Sequence, residues 1–559
     1  TLQSLNLSNR GITDLTGLSC FVHLRDLTLY GNSITTLTDF DYLISLTYLD
    51  ISHNQINDLT PLAGLTELET LYAHDNQITS VLPLAALTNL RRLGLRNNLL
   101  TSVQPLELLV EMESLILTNN SINSIAALVG MTELTYLQLT NNAVSSLTPL
   151  SGATKLRYLY AYNNALVSIS GLENAEDLVS LQVGSNSISS LTPLAGLDRI
   201  EYLSANENQI SSLSGIEGLV ELRELDLNRN LVASAIPLAG LTELEYLYLD
   251  NNRLTSLDGF ESLDDLERLS LHENDFGDET DLSKLSALTS LVFLGLNDSD
   301  VESLVGLESL TDLDHLAINQ ANLRGSGALE PLRDMTRLRV LEAWNARIQD
   351  VTGLEGCTDL EYLYLGENDI DTLAPLGGQL TRLVELQVGG NDLESLAGLE
   401  GSSKLEFISA GDNELEDISA LADASKLSTL YLWENELDST GLVAIFGGVD
   451  APTDLVTLNL DNNSVDSLAS MSVLSSLSSL SVYNNRLETL VGLESLSALS
   501  YVNVDRNRIS DLTPIVNNAD FASSDTLVVW SNEFTCAVTD SQVATLTGRG
   551  VSVEGYDCD

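Results

Sequence analysis

The chain has 559 residues, 80 of them acidic and 25 basic, for a formal charge of −55. Such a charge repels phosphate backbones and anionic lipid, which excludes nucleic-acid binding and attachment to a membrane surface. No apolar run approaches the ~18 residues of a membrane span, and a single globular core does not grow to this length without dividing.

From the first residues onward a stretch L-x-x-L-x-L-x-x-N recurs. Its Asn stands at Asn32, Asn54, Asn76, Asn98, Asn120 and so on to Asn274, each 22 residues after the last. The phase continues through Asn368, Asn391, Asn413, Asn435, Asn463, Asn485, Asn507 and Asn532, while Arg10, Ser299, Ala321 and Ala346 hold the same slot without being Asn. A strict period in this range is the signature of a solenoid whose repeats pack on their neighbours. About 24 such repeats fill the chain. Because the chain opens inside a repeat, without the polar cap that a solenoid end needs, Thr1 is expected to be a processed, trimmed or first-ordered residue.

Within a repeat such as LTELEYLYLDNNRLTSLDGFESL, the alternation Leu244, Leu247, Leu249 predicts a short strand with Tyr246 and Tyr248 on its other side. Asn252 follows where the chain turns, and its carboxamide is suited to satisfy backbone groups of neighbouring coils, forming a ladder. Eight prolines (Pro61, Pro83, Pro105, Pro149, Pro193, Pro237, Pro375 and Pro514) fall seven residues after the ladder slot. Lacking an N–H, proline suits the first position of a helical turn, so strands line one face and short helical turns the other.

These residues resemble the leucine-rich repeat family in its 22-residue class, which includes bacterial internalins and a eukaryotic phosphatase-regulating subunit. The resemblance implies an α/β solenoid with a parallel sheet on the concave face and 3-10 or short helical turns on the convex face. It also implies a scaffold that binds ligands on its strands. The run ISDLTPIVNNADFASSDTLVVWSNEFTC is similar to the end of secreted or surface-anchored bacterial members. One unbroken parallel sheet from residue 2 to about 530 is expected. Residues 1–511 are assigned to the solenoid and 512–559 to the last repeat and its cap.

Aromatic residues mark the candidate site. Positions three, five, seven and eight of L-x-x-L-x-L-x-x-N should face the concave side, and 15 of the 17 Tyr and all three Trp fall there. Strand propensity explains part of this bias. It does not explain the seventh position, which carries Tyr30, Tyr162, Trp344, Trp433, Tyr483 and Trp530. Between Asp75 and Glu207 no concave position is acidic. That window, with Arg92, Arg96, Tyr136, Gln138, Tyr158, Tyr160, Tyr162, Gln182 and Tyr202, is expected to bind the ligand. Trp344, Tyr362, Tyr364, Tyr431 and Trp433 form a second candidate group. Rings with polar tips are typical of recognition surfaces and suit a protein or a glycan equally.

Residues 275–346 and 436–463 hold longer repeats, and a true helix is expected near 439–446. The cluster Asp275, Asp278, Glu279, Asp281 offers oxygen ligands for Ca²⁺ without the spacing of an EF-hand, so a solvated loop is the expectation. His53 and His74, one repeat apart, are read as solvated strand residues in preference to a shared metal site. Cys357 sits where other repeats carry a core Leu and is expected to be buried. Cys536 and Cys558 bracket the last segment and are expected to form a disulfide, which implies an oxidising compartment.

No H-E-x-x-H, G-x-S-x-G, G-x-x-x-x-G-K-[ST] or C-x-x-C occurs, so no enzyme and no cofactor are expected. The sequence points to a secreted or cell-surface bacterial protein that recognises a protein or glycan partner. Its rival is a structural element of a surface layer, filament or adhesin stalk that self-associates. Acid-rich, Lys-poor composition fits a marine or halophilic source, with plain solubility as the alternative.

Overall fold

The structure is a computed structural model that describes residues 2–277, 280–447 and 451–558. The chain forms two units, Thr1–Asp275 and Phe276–Asp559. Among the described residues the first contains thirteen three-residue strands, from Ser4–Asn6 to Arg268–Ser270. They pair in parallel at a constant offset, so that Tyr136, Tyr158, Ser180, Tyr202 and Glu224 lie side by side on five successive strands. The second unit contains twelve, from Phe293–Gly295 to Ser552–Glu554. There the pairs His315↔Val340, Tyr362↔Glu385 and Thr429↔Thr457 reflect longer repeats. The middle residue of nearly every strand, such as Leu159, Leu181 and Leu203, is buried, while its two neighbours lie on the outer face of the sheet.

The ladder is built as the Asn period predicts. Asn142 Oδ1 accepts the Ile122 N–H at 2.9 Å, and its Nδ2 donates to Leu117 O at 3.0 Å in the preceding coil and to Leu139 O at 2.9 Å in its own. The bonds repeat at the ladder Asn residues from Asn32 to Asn274 and again from Asn368 onward, except that Asn485 donates within its own coil to Tyr483 O. Several of these side chains are fully buried, while Asn120 and Asn142 are half-buried. Where Ala346 replaces Asn, the Leu323 N–H donates directly to the Ala346 carbonyl at 3.0 Å. Ser299, in another such slot, is buried and donates to Leu296 O.

The residue before each ladder Asn turns the chain through the left-handed region, with φ of 54–56° at Asn97, Asn119 and Asn141. Asn tolerates this conformation better than most residues. The opposite side is made of 3-10 turns such as Thr148–Leu150, with proline near their start. At the same slot other repeats carry glycine. Gly171, Gly215, Gly259, Gly306, Gly353, Gly398 and Gly492 all have φ near 105–112°. Each N–H donates to the Glu two residues on, for example Gly171 to Glu173 at 2.8 Å.

Helix α1 (Ser439–Phe446) coincides with the predicted helix; Asp438 caps it by accepting from the Thr440 N–H at 2.7 Å, and Leu442, Ile445 and Phe446 are buried beneath it. Near the C-terminus α2 (Thr513–Asn517) and α3 (Cys536–Gly548) pack together. Gln542 accepts the Leu512 N–H at 2.9 Å, and Arg549 donates to the carbonyls of Val516 and Asn518. Cys536 and Cys558 form the expected disulfide, and strand Ser552–Glu554 pairs with Thr526–Val528.

Candidate recognition face

In the first unit the sheet brings most of the predicted aromatic window together. The Tyr136 ring lies 6.1 Å from Tyr158 and 5.8 Å from Tyr160, and its hydroxyl accepts a bond from the Gln138 amide. Burial raises the pKa of Tyr136, so the phenol stays neutral through the physiological range. Arg157 stands 5.7 Å from the Tyr158 ring. Next to this cluster is an open recess of about 280 Å³ lined by Tyr158, Tyr160, Ser180, Gln182, Tyr202, Ser204 and Glu224. Its existence follows from register. Ser180 separates Tyr158 from Tyr202 in one row, and Ser204 follows Gln182 in the next, so small side chains leave a floor between large ones. Ser180, Ser204 and Glu224 were not among the sequence candidates; the signal available was a small residue at position three or five flanked by tyrosines one repeat away.

Tyr162 stands apart from the recess. It lies over Gly184 of the following coil, where an added Cβ would be 2.9 Å from the ring. Trp344 over Gly366 and Trp433 against Gly411 repeat this arrangement in the second unit. At these three seventh positions, then, a ring rests on a glycine at the same position of an adjacent coil. Tyr162 remains 37% exposed and Trp344 45%.

Arg92 and Arg96 do not make the window basic. Arg92 pairs with Glu113 at 3.2 Å, a carboxylate it shares with Arg91, and Arg96 pairs with Asp75 at 3.5 Å. Glu113, at position two of the following coil, reaches across to Arg92, and Asp75 of the preceding coil to Arg96, so the window is close to neutral. Asp75 also carries a hydrogen-bonded row, with Asn97 donating to Asp75, Asn119 to Asn97, Asn141 to Asn119 and Asn163 to Asn141 at 2.5–2.9 Å. This second line of carboxamides runs beside the ladder on the surface.

In the second unit Tyr362 and Tyr364 flank buried Leu363, one strand from Glu342 and Glu385. Burial, with those two carboxylates, pushes the Tyr364 phenol up to about 12. Tyr431 meets Phe407 edge-on at 5.7 Å, a partner absent from the sequence candidates. The acidic neighbours make the surroundings of Tyr364 unlike the first unit's window.

His53 is exposed, as the sequence leads one to expect, whereas His74 is half-buried and not solvated. His53 Nε2 lies 3.2 Å from Asp75, and His74 is stacked on Tyr72 at 5.6 Å, with Nδ1 accepting the Arg96 N–H at 3.0 Å. Of the proposed Ca²⁺ ligands, Asp278 and Glu279 lie outside the described residues. Asp275 is exposed, and Asp281 caps the turn Leu282–Leu285 by accepting the Ser283 N–H at 3.0 Å. No helix among the described residues is long and apolar enough to cross a membrane.

A solenoid of parallel three-residue strands, bound by an Asn ladder and carrying exposed rings, defines a repeat scaffold. The family pattern described as "Leucine Rich repeats (2 copies)" matches residues 44–85, 66–108 and 242–288. The chain belongs to the leucine-rich repeat family. Among solved structures, an internalin of Listeria monocytogenes is 26% identical over 64% of this chain and 84% of its own, with a TM-score of 0.42. A leucine-rich repeat protein of Leptospira interrogans is 22% identical over 71% of this chain and 98% of its own, with a TM-score of 0.56. The Arabidopsis receptor kinase HAESA, solved with a peptide hormone and a co-receptor, is 21% identical over 91% of each chain, with a TM-score of 0.66. The last two likenesses concern the fold. No curated protein matches this sequence.

Proposed function

We propose that this chain is a non-enzymatic extracellular recognition protein that binds a partner, a protein in the first instance, on the aromatic strand face of its first unit. The observation that carries the reading is the Tyr136, Tyr158, Tyr160 cluster opening onto the recess at Tyr202. Rings held on a rigid sheet give up little conformational entropy on binding and combine apolar area with a hydroxyl, which is the chemistry of hot spots. A receptor of the same fold, HAESA, holds a peptide hormone. The Cys536–Cys558 disulfide supports a secreted or surface location. The formal charge of −55 favours a salty, marine or halophilic medium, where screening weakens self-repulsion.

The test is the triple variant Tyr158→Ser, Tyr160→Ser, Tyr162→Ser. Partners are captured by cross-linking at the native cell surface and identified by mass spectrometry, with wild type and variant compared. Loss of a captured partner with an unchanged circular dichroism spectrum supports the reading. Unchanged capture together with lost self-association would favour the structural element of a surface layer instead.

A further inference from the structure

The recess beside Tyr202 has a chemistry of its own. Its rows are set by register: Tyr158, Ser180, Tyr202 and Glu224 occupy one, and Tyr160 begins the row that ends at Asp226. Adjacent strands lie ~4.8 Å apart, so Tyr158 and Tyr202 are rooted ~9.6 Å apart with only Ser180 between them. Rings at that spacing leave room for one compact group, which midway would stand within the ~6 Å reach of a cation–π contact on both sides. A flat aromatic or sugar ring needs closer walls to touch both.

The far end of both rows is negative. Burial first, and then Asp226, raises the Glu224 carboxyl above its ordinary range; burial first, with Asp250 and Glu207 adding to it, does the same for Asp226. None of the groups acting on them is basic. The arginines of the same repeat are engaged elsewhere, Arg223 by Glu245 and Arg229 by Glu207 at 2.8 Å. Glu224 thus borders a tyrosine-walled recess, with Asp226 on the neighbouring row; Arg157 stands 5.7 Å from the Tyr158 ring and is the cation that an incoming one would join or displace at that wall.

We propose that this recess binds the ammonium group of a lysine side chain carried by an extended basic segment of a protein partner. The assignment rests on the recognition reading above and names its partner's chemistry. Tyr158 and Tyr202 would flank the ammonium, Tyr160 would cover its methylene stem, and Glu224 would balance its charge while Asp226 attracts a following basic residue. Ammonium is favoured over guanidinium because a compact, roughly spherical cation suits the spacing of the walls, whereas a planar fork wants stacking on one face.

The test uses a fluorescein-labelled octapeptide of alternating Lys and Ser, with norleucine and Arg counterparts, titrated by fluorescence anisotropy at 0.5 M NaCl. At that ionic strength general attraction to so acidic a chain is largely screened. The Lys peptide is expected to bind, the norleucine peptide not to bind, and the Arg peptide to bind more weakly. Tyr202→Ala and Glu224→Gln should each weaken Lys-peptide binding at least fivefold, while Glu488→Gln, an exposed acid in the second unit, leaves it unchanged. Equal losses in Glu224→Gln and Glu488→Gln would mean net-charge attraction and overturn the proposal, as would binding that ignores Tyr202→Ala. A glucan oligosaccharide that binds and is lost in Tyr202→Ala but not in Glu224→Gln would overturn the cation assignment and leave the recognition face standing. Failure of that face itself would show separately, as partner capture unaffected by the triple tyrosine variant.

Discussion

The Ile188 N–H donates to Asn208 Oδ1 at 2.8 Å across one coil, while Asn208 Nδ2 donates to the carbonyls of Val183, Ala205 and Asn206, each at 3.0 Å. One buried carboxamide therefore satisfies four backbone groups in two repeats. Asn208→Ala strands the Ile188 N–H, because the three carbonyls keep a second donor in Asn186 Nδ2, Asn230 Nδ2 and the Ser185 N–H, and should cost ~1–3 kcal/mol. Asn208→Asp should cost more than alanine at neutral pH, because it sets a carboxylate against three carbonyl oxygens in place of a donor. Denaturant unfolding of the three proteins checks the order; an aspartate variant as stable as wild type would refute the assigned orientation of the amide.

Most of the fold is legible because one residue type is forced at one slot. Asn208 is needed for its donor and acceptor together, so the period shows even where Leu varies to Ile, Val or Ala. The proline turns are legible for the same reason. The glycine turns are not, since Gly171 and Pro149 do the same job by different means: proline removes an N–H, whereas glycine supplies φ of 109° and gives its N–H to Glu173. The site is less legible than the fold. Tyrosines announce themselves, but the recess depends on Ser180 and Ser204, which look like ordinary strand residues until register places them between rings. The pairing of Arg92 and Arg96 is hidden for a related reason. Sequence shows their charge and not the position of Glu113 and Asp75 one coil away.

The glycine turns yield a second prediction. A Cβ at Gly171 would stand 2.3 Å from the Leu147 carbonyl oxygen and would also occupy a backbone conformation that L side chains rarely adopt. Gly171→Ala should therefore lower the thermal unfolding midpoint, with a cost of at least ~2 kcal/mol from strain and overlap together. Gly64 has an ordinary φ and nothing within 4 Å of the added atom. Gly64→Ala should be neutral or slightly stabilising, within ~0.5 kcal/mol. Similar losses at both positions would show that the close approach of coils at Gly171 is not real.

Thiol chemistry tests the C-terminal cap. Under denaturing, non-reducing conditions two thiols should react, because Cys536 and Cys558 are bonded and Cys20 and Cys357 are free. In the native protein only Cys20, which is exposed, should react promptly. Cys357 is buried, its thiol donates to Leu332 O at 3.3 Å, and burial pushes its pKa up to about 12, so almost no thiolate is present. Four reactive thiols on denaturation would remove the disulfide, and with it the main support for an oxidising compartment.

His74 sets the last expectation. Burial first, and then the charge of Arg96, holds its pKa below the ordinary 6.5, against the weaker opposite pull of Asp50 and Asp75. The Arg96 N–H donating to Nδ1 places the ring proton on Nε2 and needs a neutral imidazole. The sign follows from linkage. Between the folded value and 6.5 the unfolded chain binds a proton that the folded ring refuses, so acidification favours unfolding there. The contribution is fully present above the unfolded value and is lost as pH falls through the folded one. An NMR titration of His74 in the folded protein should give a midpoint below 6.5. The loss of thermal stability between pH 7 and pH 5.5 should also be smaller in His74→Asn than in wild type, since that variant has no imidazole to protonate. A midpoint at or above 6.5 would mean that Asp75 outweighs burial, and the acid sensitivity would then have to come from other groups.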